Sequence, residues 1–499
     1  MSKTLDHTVI ASQRRSNPDR STGLLRQKPR NDDKCEKLNP WQKVLLFAPI
    51  AIWFSYHPHI DFGHDDSMNF KLSITIIYAL ILALIGLPQI WRERRKLIKD
   101  RAVWLVTAFV AWNGMSLIWT ANLTRGILTC GIIGILFLIF LSMIAEREKL
   151  KKVLPMLVKI LIAATVAMCV FGWAQMFAGI WLGQGETLLC NGCTAIQFGF
   201  VRPNAFAIEP QFFGNLLLAP TLILLWRILK KQGNWRTNLV FVFIAATLIL
   251  TLSRGAIFAF GIGVAILSLM QIICIKEWKK VFFELFLTIF AIFVALVTQG
   301  FTAAINPNFD ETFGGAIAKS LNQLSMGVIK LHEDKTDDPN PPANQTTDQN
   351  EPPKTETNKK STPHFDGYVE ESTETRLELS RLALAAWGSN FQHMFFGVGI
   401  GASGVEMAQF SGSRGAREIV QNEFIEVLLE LGIIGATIFA ILIIGFFRQT
   451  RSKKYLWAII AAFLIQWNFF SGYPSALHIY LILFCAFAGY DLPKRAPQN

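Results

Sequence analysis

Apolar residues in this chain fall in long runs separated by short polar stretches. The runs lie near 41–56, 70–91, 102–121, 126–145, 153–179, 205–229, 237–252, 255–275, 281–301, 420–447, 455–470 and 475–490. A hydrocarbon core takes roughly 20 residues of helix, so the pattern predicts an all-α polytopic membrane protein of about 12 transmembrane helices. Every second loop is short and basic. Loop 92–101 carries Arg92, Arg94, Arg95, Lys96, Lys99 and Arg101, and loop 146–152 carries Arg147, Lys149, Lys151 and Lys152. Arg227, Lys230, Lys231 and Arg236 mark a third, Lys276, Lys279 and Lys280 a fourth, and Arg448, Arg451, Lys453 and Lys454 a fifth. Basic loops stay in the cytoplasm, which puts these loops and both termini inside.

The remaining loops are then outside. They are 57–69, with Asp61, Asp65 and Asp66 but no Lys or Arg; 180–204; a turn at Arg254; and the longest, 302–419. The chain thus divides into a basic tail 1–40, spans one to nine over 41–301, an extracytoplasmic loop 302–419, spans ten to twelve over 420–490, and a tail 491–499. The first tail has no apolar core of signal-peptide length and is expected to be disordered. The long loop is composite. Residues 333–363 are rich in Pro, Asp, Asn, Thr and Lys and are expected to be disordered. Asn344-Gln345-Thr346 within them is a formal glycosylation sequon. Residues 371–393 are expected to be helical, with an apolar face of Leu377, Leu379, Leu382, Leu384, Ala385 and Trp387 interrupted by Arg376 and Arg381.

Composition agrees with the pattern. The chain is 52% hydrophobic and only 17% charged, which excludes an ordinary soluble globule. Its net charge of +12 is carried mainly by loops between spans, so it reads as topology and not as nucleic-acid binding. Cys130, Cys169, Cys274 and Cys485 lie in apolar runs as packing residues. Cys190 and Cys193 form a CxxC in a polar loop, which fits redox chemistry, half a zinc site or a small disulfide. An extracytoplasmic loop and the lack of a second CxxC favour the disulfide.

Candidate chemistry concentrates on the outer side. In Leu250-Thr251-Leu252-Ser253-Arg254-Gly255-Ala256 an arginine sits where two apolar runs meet, with about sixteen residues before it and about twenty after, too many for one crossing. Charges at such positions tend to line polar cavities; an interfacial anchor is the plainer alternative. Arg125, Arg202, Arg376 and Arg381 join it on the outer side, with Glu209 before Pro210 and with Gln421, Asn422, Glu423 and Glu426 at the start of the tenth span. Outward arginines escape the positive-inside explanation and suit a polyanion, because guanidinium groups hold phosphate in two-pronged hydrogen bonds. A lipid pyrophosphate meets that description. Glycosyl transfer from one needs the departing diphosphate stabilised and a base near the attacking hydroxyl. Arg254, Arg376 and Arg202 are candidates for the first role and Glu209 for the second; a structural partner of Arg202 or Arg254 is the other reading of Glu209. Arg125, Gln421 and Asn422 are further candidate substrate contacts. His57, His59 and His64 cluster with Asp61, Asp65 and Asp66, but the spacing matches no standard metal set, so no metal and no cofactor is expected.

Four stretches, in this order, resemble the bacterial O-antigen ligase and polysaccharide polymerase family of integral membrane glycosyltransferases. They are Arg202…Glu209-Pro210…Gly214; Leu250 to Ala256; Arg376, Trp387 and Phe396-Gly397-Val398-Gly399-Ile400-Gly401; and Gln421-Asn422-Glu423-Phe424 leading to Glu430-Leu431-Gly432-Ile433-Ile434-Gly435. The resemblance covers about 200–490 and extends to the earlier spans only in layout. It implies a glycosyltransferase C-like helical fold in the bacterial cytoplasmic membrane. It also implies an undecaprenyl-pyrophosphate-linked glycan donor, a glycan or lipid acceptor and metal-independent transfer at the outer face. The family's functional arginines fall on Arg254 and Arg376, with Arg202 a third. Many of its ligases carry a histidine where this chain has Gln421, which leaves a polymerase, or a ligase using Glu209, as readings of equal standing. Membrane lipids and, for a polymerase, a chain-length regulator are the implied partners. The alternative is a transporter of a small anion or glycan lipid, which should show polar groups at midplane depth on broken, repeated helices.

Overall fold

The structure is a computed structural model and describes residues 38–62, 70–182, 196–197, 200–230, 232–275, 277–307, 312–324, 368–411, 419–450, 454–469 and 477–488. Expectations for the tails 1–37 and 489–499, the segment 333–363 with its sequon, the Cys190–Cys193 loop and His64, Asp65 and Asp66 lie outside those residues. The chain divides into two compact units, Met1–Asn39 and Pro40–Asn499; the second is described below.

The helices in chain order are α1 (Pro40–Leu45), α2 (Ala48–Ala51), α3 (Ile74–Arg92), α4 (Arg94–Leu97), α5 (Arg101–Ser116), α6 (Leu123–Ala145), α7 (Arg147–Leu182), α8 (Pro210–Leu229) and α9 (Trp235–Leu250). They continue as α10 (Arg254–Ile275), α11 (Trp278–Ala304), α12 (Phe313–Leu324), α13 (Tyr368–Trp387), α14 (Phe391–Phe396), α15 (Ser403–Ser411), α16 (Glu423–Gln449), α17 (Lys454–Gln466) and α18 (Leu477–Ala488). Two antiparallel strand pairs complete the described elements. β1 (His59–Phe62) pairs with β2 (Phe70–Ser73), and β3 (Ile196–Gln197) with β4 (Phe200–Val201).

Among the described residues, seven helices are long and apolar enough to cross a membrane: α3, α6, α7 (counted to Ile180), α8, α10 (counted to Ile273), α11 and α16. The other expected spans coincide with shorter helices: α1 with α2, α5, α9, α17 and α18. The run 41–56 departs from a single helix, because α1 ends at Leu45 and α2 restarts at Ala48 with Pro49 in its first turn. Residues 70–73 form strand β2 and not the first turn of a span, since they pair with 59–62.

Helix α8 is the centre of the membrane part. It is buried nearly all round, from Phe213 through Leu225, as expected of a helix with no polar face that is enclosed by other helices. Helices α9, α10 and α17 pack directly on it. Gly214 permits a close approach: a Cβ there would lie 2.9 Å from Ala256 Cβ and 3.0 Å from Thr251 Oγ1. At the basic ends of the spans, the buried Glu146 carboxylate accepts from Arg92 at 3.1 Å, and Arg147 reaches Asp100 at 3.3 Å.

Helix α16 is not the single straight crossing expected for 420–447. Gly432, at φ 66°, breaks it into two arms. Phe424 and Phe439 are 15 residues apart, which in a continuous helix means about 22 Å along the axis. Their ring centroids are 6.3 Å apart, and both rings also pack on Trp467. The arm before Gly432 therefore folds back against the arm after it. A break strands backbone carbonyls that an apolar surrounding cannot hydrate. Here Val398 and Gly399 N–H groups donate to the Leu429 and Glu430 carbonyls, each at 2.9 Å. The Trp112 indole donates to the Leu431 carbonyl at 3.0 Å. The segment 397–401 can thread this gap because Gly397, Gly399 and Gly401 all take positive φ.

The expected helix over 371–393 is present as α13 followed by α14. Its buried face is Leu379, Ala383 and Ala386, at helical spacing, with Leu382 and Trp387 alongside. Leu377 and Leu384 are exposed. The expected face thus mixed two sides of the helix, because leucine content outweighed the smaller alanines that the close packing on α16 requires.

Candidate functional site

The first turns of α8 and α10, the start of α16, the end of α17 and helix α13 meet around two arginines. Arg376 projects from α13 and is held by two glutamine amides. Its Nε donates to Gln421 Oε1 at 2.8 Å, and its Nη2 donates to Gln211 Oε1 at 2.7 Å. Gln211 lies in the first turn of α8 and in turn donates from Nε2 to the Phe469 carbonyl at 2.6 Å. Both of these bonds end on amide carbonyl oxygens, which fix the guanidinium plane from two sides.

Arg254 is the first residue of α10 and half-buried. The turn before it is tightly built. Leu252 adopts φ 46°, Ser253 N–H donates to Thr251 Oγ1 at 3.2 Å, and Ser253 Oγ accepts from Ala256 N–H at 3.4 Å. A helix N-terminus adds partial positive charge to that of the guanidinium, which makes this end of α10 doubly suited to an anion. Arg202 is buried, and its Nε donates to the Thr251 carbonyl at 2.8 Å, which braces the same turn. Gly255 packs on Phe469, the residue whose carbonyl holds Gln211. Arg254 and Arg376 are thus joined through Gly255, Phe469 and Gln211.

Glu209 is the N-cap residue of α8, in extended backbone immediately before Pro210. It is exposed, and among the described residues its carboxylate makes no ion pair with Arg202 or Arg254. Among the described residues, the non-glycine positions with positive φ are Ala205 and Leu252. Both lie in the two segments that build this site. Such backbone costs about 1–3 kcal/mol per residue and persists only where surrounding contacts enforce it. At Ala205 those contacts are the paired hydrogen bonds with the Gln175 amide, at 2.8 and 3.1 Å.

The other candidates sit differently. Asn422 caps α16, accepting from Phe424 and Ile425 N–H, so its side-chain oxygen serves the helix start. Arg125 lies in the first turn of α6 and faces Glu430 electrostatically, at the break in α16. Glu430 also accepts from the backbone of Gly401 and Ser403. Arg381 is exposed on α13. His57 and His59 are in ring contact with each other and with Tyr56. Gln211 and Gln466 were not singled out from the sequence. The one signal for Gln211 is an amide in the otherwise apolar opening of α8.

Membrane-length helices on a core of buried α8, with arginines gathered where their ends meet, define a polytopic helical membrane protein. Residues 239–440 match the family model described as O-antigen ligase. The match takes in the last three of the four motifs and agrees with the resemblance drawn from them, and it supports a membrane enzyme of the ligase or polymerase type. Comparison with curated proteins gives no match. Arg254, Arg376, Gln421, Asn422 and Glu430 fall inside the matched region, while Arg125, Arg202, Glu209 and Gln211 precede it.

Proposed function

We propose that this protein transfers or polymerises undecaprenyl-pyrophosphate-linked oligosaccharide at the outer face of the bacterial cytoplasmic membrane. The observation that carries the reading is Arg376 set between Gln211 and Gln421 and linked by Phe469 and Gly255 to Arg254. In this reading Arg254 and Arg376 grip the diphosphate from two sides, and Arg202 holds the turn that presents Arg254. The acceptor hydroxyl attacks the anomeric carbon, the bond from that carbon to the phosphate oxygen breaks, and the diphosphate leaves on its lipid. Fixed positive charge lowers the barrier because negative charge grows on that oxygen as the bond breaks. The proton of the acceptor passes to Glu209, whose exposed carboxylate stands two residues before Gln211. Charge on the diphosphate is met by guanidinium groups, so the proposed transfer is metal-independent.

Gln421 has a role in this scheme that does not depend on proton transfer. It accepts from Arg376, so at this position the chain uses an amide to orient a guanidinium. A carrier would use a broken helix such as α16, but the carbonyls freed by this break are not open to a cargo ion. The carbonyls of Leu429, Glu430 and Leu431 are already taken by Val398, Gly399 and Trp112.

The test is Arg254→Ala, followed by glycan chains on gels. Wild-type chain profiles at normal protein level would sink the proposal. Purified protein that converts a lipid-linked donor to product without an ion gradient would exclude the carrier.

A further inference from the structure

The last residues of α17 form a junction that the proposed chemistry leaves unexplained. Three carbonyls at this helix end are taken by elements of the site. Trp467 O accepts from Glu423 N–H at 2.9 Å, Asn468 O from Asn422 Nδ2 at 3.4 Å, and Phe469 O from Gln211 Nε2 at 2.6 Å. The end of α17 thus fixes both supports of Arg376, since Gln211 binds it directly and Gln421 adjoins the capped start of α16. On its other side the same helix end meets α10. A Cβ on Gly255 would lie 2.8 Å from Gln466 Oε1 and 2.7 Å from Phe469 Cβ. Gln466 is fully buried, and both polar atoms of its amide lack a hydrogen bond among the described residues.

A buried amide with neither atom paired is costly and needs a reason. We infer that Gln466 is a positioning residue for the diphosphate site: pressed on the Gly255 backbone, it sets where Arg254 stands relative to Arg376. This rests on the reading above. It assigns function to α17, whose sequence shows no other sign of it. A leucine in its place would fill the volume but could not hydrogen-bond the first turn of α10, directly or through water, when the anion binds.

The experiment uses the full-length protein in detergent, with inorganic pyrophosphate as probe and thermal stabilisation as readout beside donor turnover. Gln466→Leu is expected to weaken pyrophosphate binding and raise KM for the lipid-linked donor by roughly tenfold, with kcat little changed. Gln466→Glu, which keeps an oxygen at the contact but adds negative charge beside the anion, should weaken binding further. In an Arg254→Ala background Gln466→Leu should add nothing, because its effect passes through Arg254. Wild-type pyrophosphate affinity in a folded Gln466→Leu protein, or full additivity with Arg254→Ala, overturns the inference and leaves the functional reading intact. A wild-type protein that binds no pyrophosphate overturns both.

Discussion

Arg376 shows how much of this site depends on geometry beyond charge. Its two bonds leave from different nitrogens toward one amide on α8 and another just before α16, which the single ammonium of lysine cannot reproduce. Hydrogen bonds of a charged group contribute roughly 1.5–3 kcal/mol each, so Arg376→Lys should lower transfer at least about tenfold. Product formation per folded protein is the measure; activity within a factor of about two of wild type would mean that charge alone suffices. Gln421→His tests the other side of the pair. If Gln421 serves to orient Arg376, histidine there should reduce turnover despite supplying a titratable group, and increased turnover would restore acceptor activation to this position. Asn422 was legible as a polar residue opening a span, but its capping role appears only with the backbone, since capping and ligand contact demand the same side chain.

At the scale of the element, α16 is the instructive case. Its composition reads as one membrane crossing, and its hydrophobic run has no proline to mark a break. The break depends on one glycine, Gly432, and on partners more than 30 residues earlier in the chain. A Cβ at Gly432 would lie 2.3 Å from the Phe395 carbonyl oxygen, and left-handed backbone costs a non-glycine residue about 1–2 kcal/mol in addition. Gly432→Ala should therefore reduce the yield of monodisperse protein on gel filtration sharply, more than Gly134→Ala in α6, where an added Cβ meets nothing within 4 Å. Trp112→Phe removes the donor to Leu431 O and part of the ring surface packed on Trp119 and Phe396, and should lower stability by about 1–3 kcal/mol, read as a fall in Tm. An unchanged Tm would show that water fills the gap. Periodicity located nearly every helix because burial in lipid is written in local composition. It missed this fold-back because the cause is a long-range hydrogen-bond exchange that no local window contains.

For the whole molecule, the predicted orientation turns on loop charge, and labelling can settle it. Arg95 and Arg381 are both exposed but are placed on opposite sides by the alternation of basic loops. In a background without native cysteines, Arg381→Cys in whole cells should react with an impermeant thiol reagent and Arg95→Cys should not. The reverse pattern would invert the topology and remove the site from the outer face. The sequence made the membrane class and the four motifs legible, together with Arg254 and Arg376, because intramembrane arginines and glycine clusters stand out in apolar runs. Gln211 and Gln466 stayed hidden. A single amide in a helix carries no signal until its neighbours are known, and their neighbours come from the far ends of the chain.

The threading of 397–401 into the break of α16 has a practical consequence for exchange between relatives. The stretch between α11 and α16 and the helix that follows it share one set of backbone hydrogen bonds, so neither is a module. A chimera that takes the loop alone, or only the last spans, would have to match glycine positions on one side to a break shaped by another sequence on the other. Specificity can be transplanted here only as a single cassette running from α13 through the fold-back at Gly432.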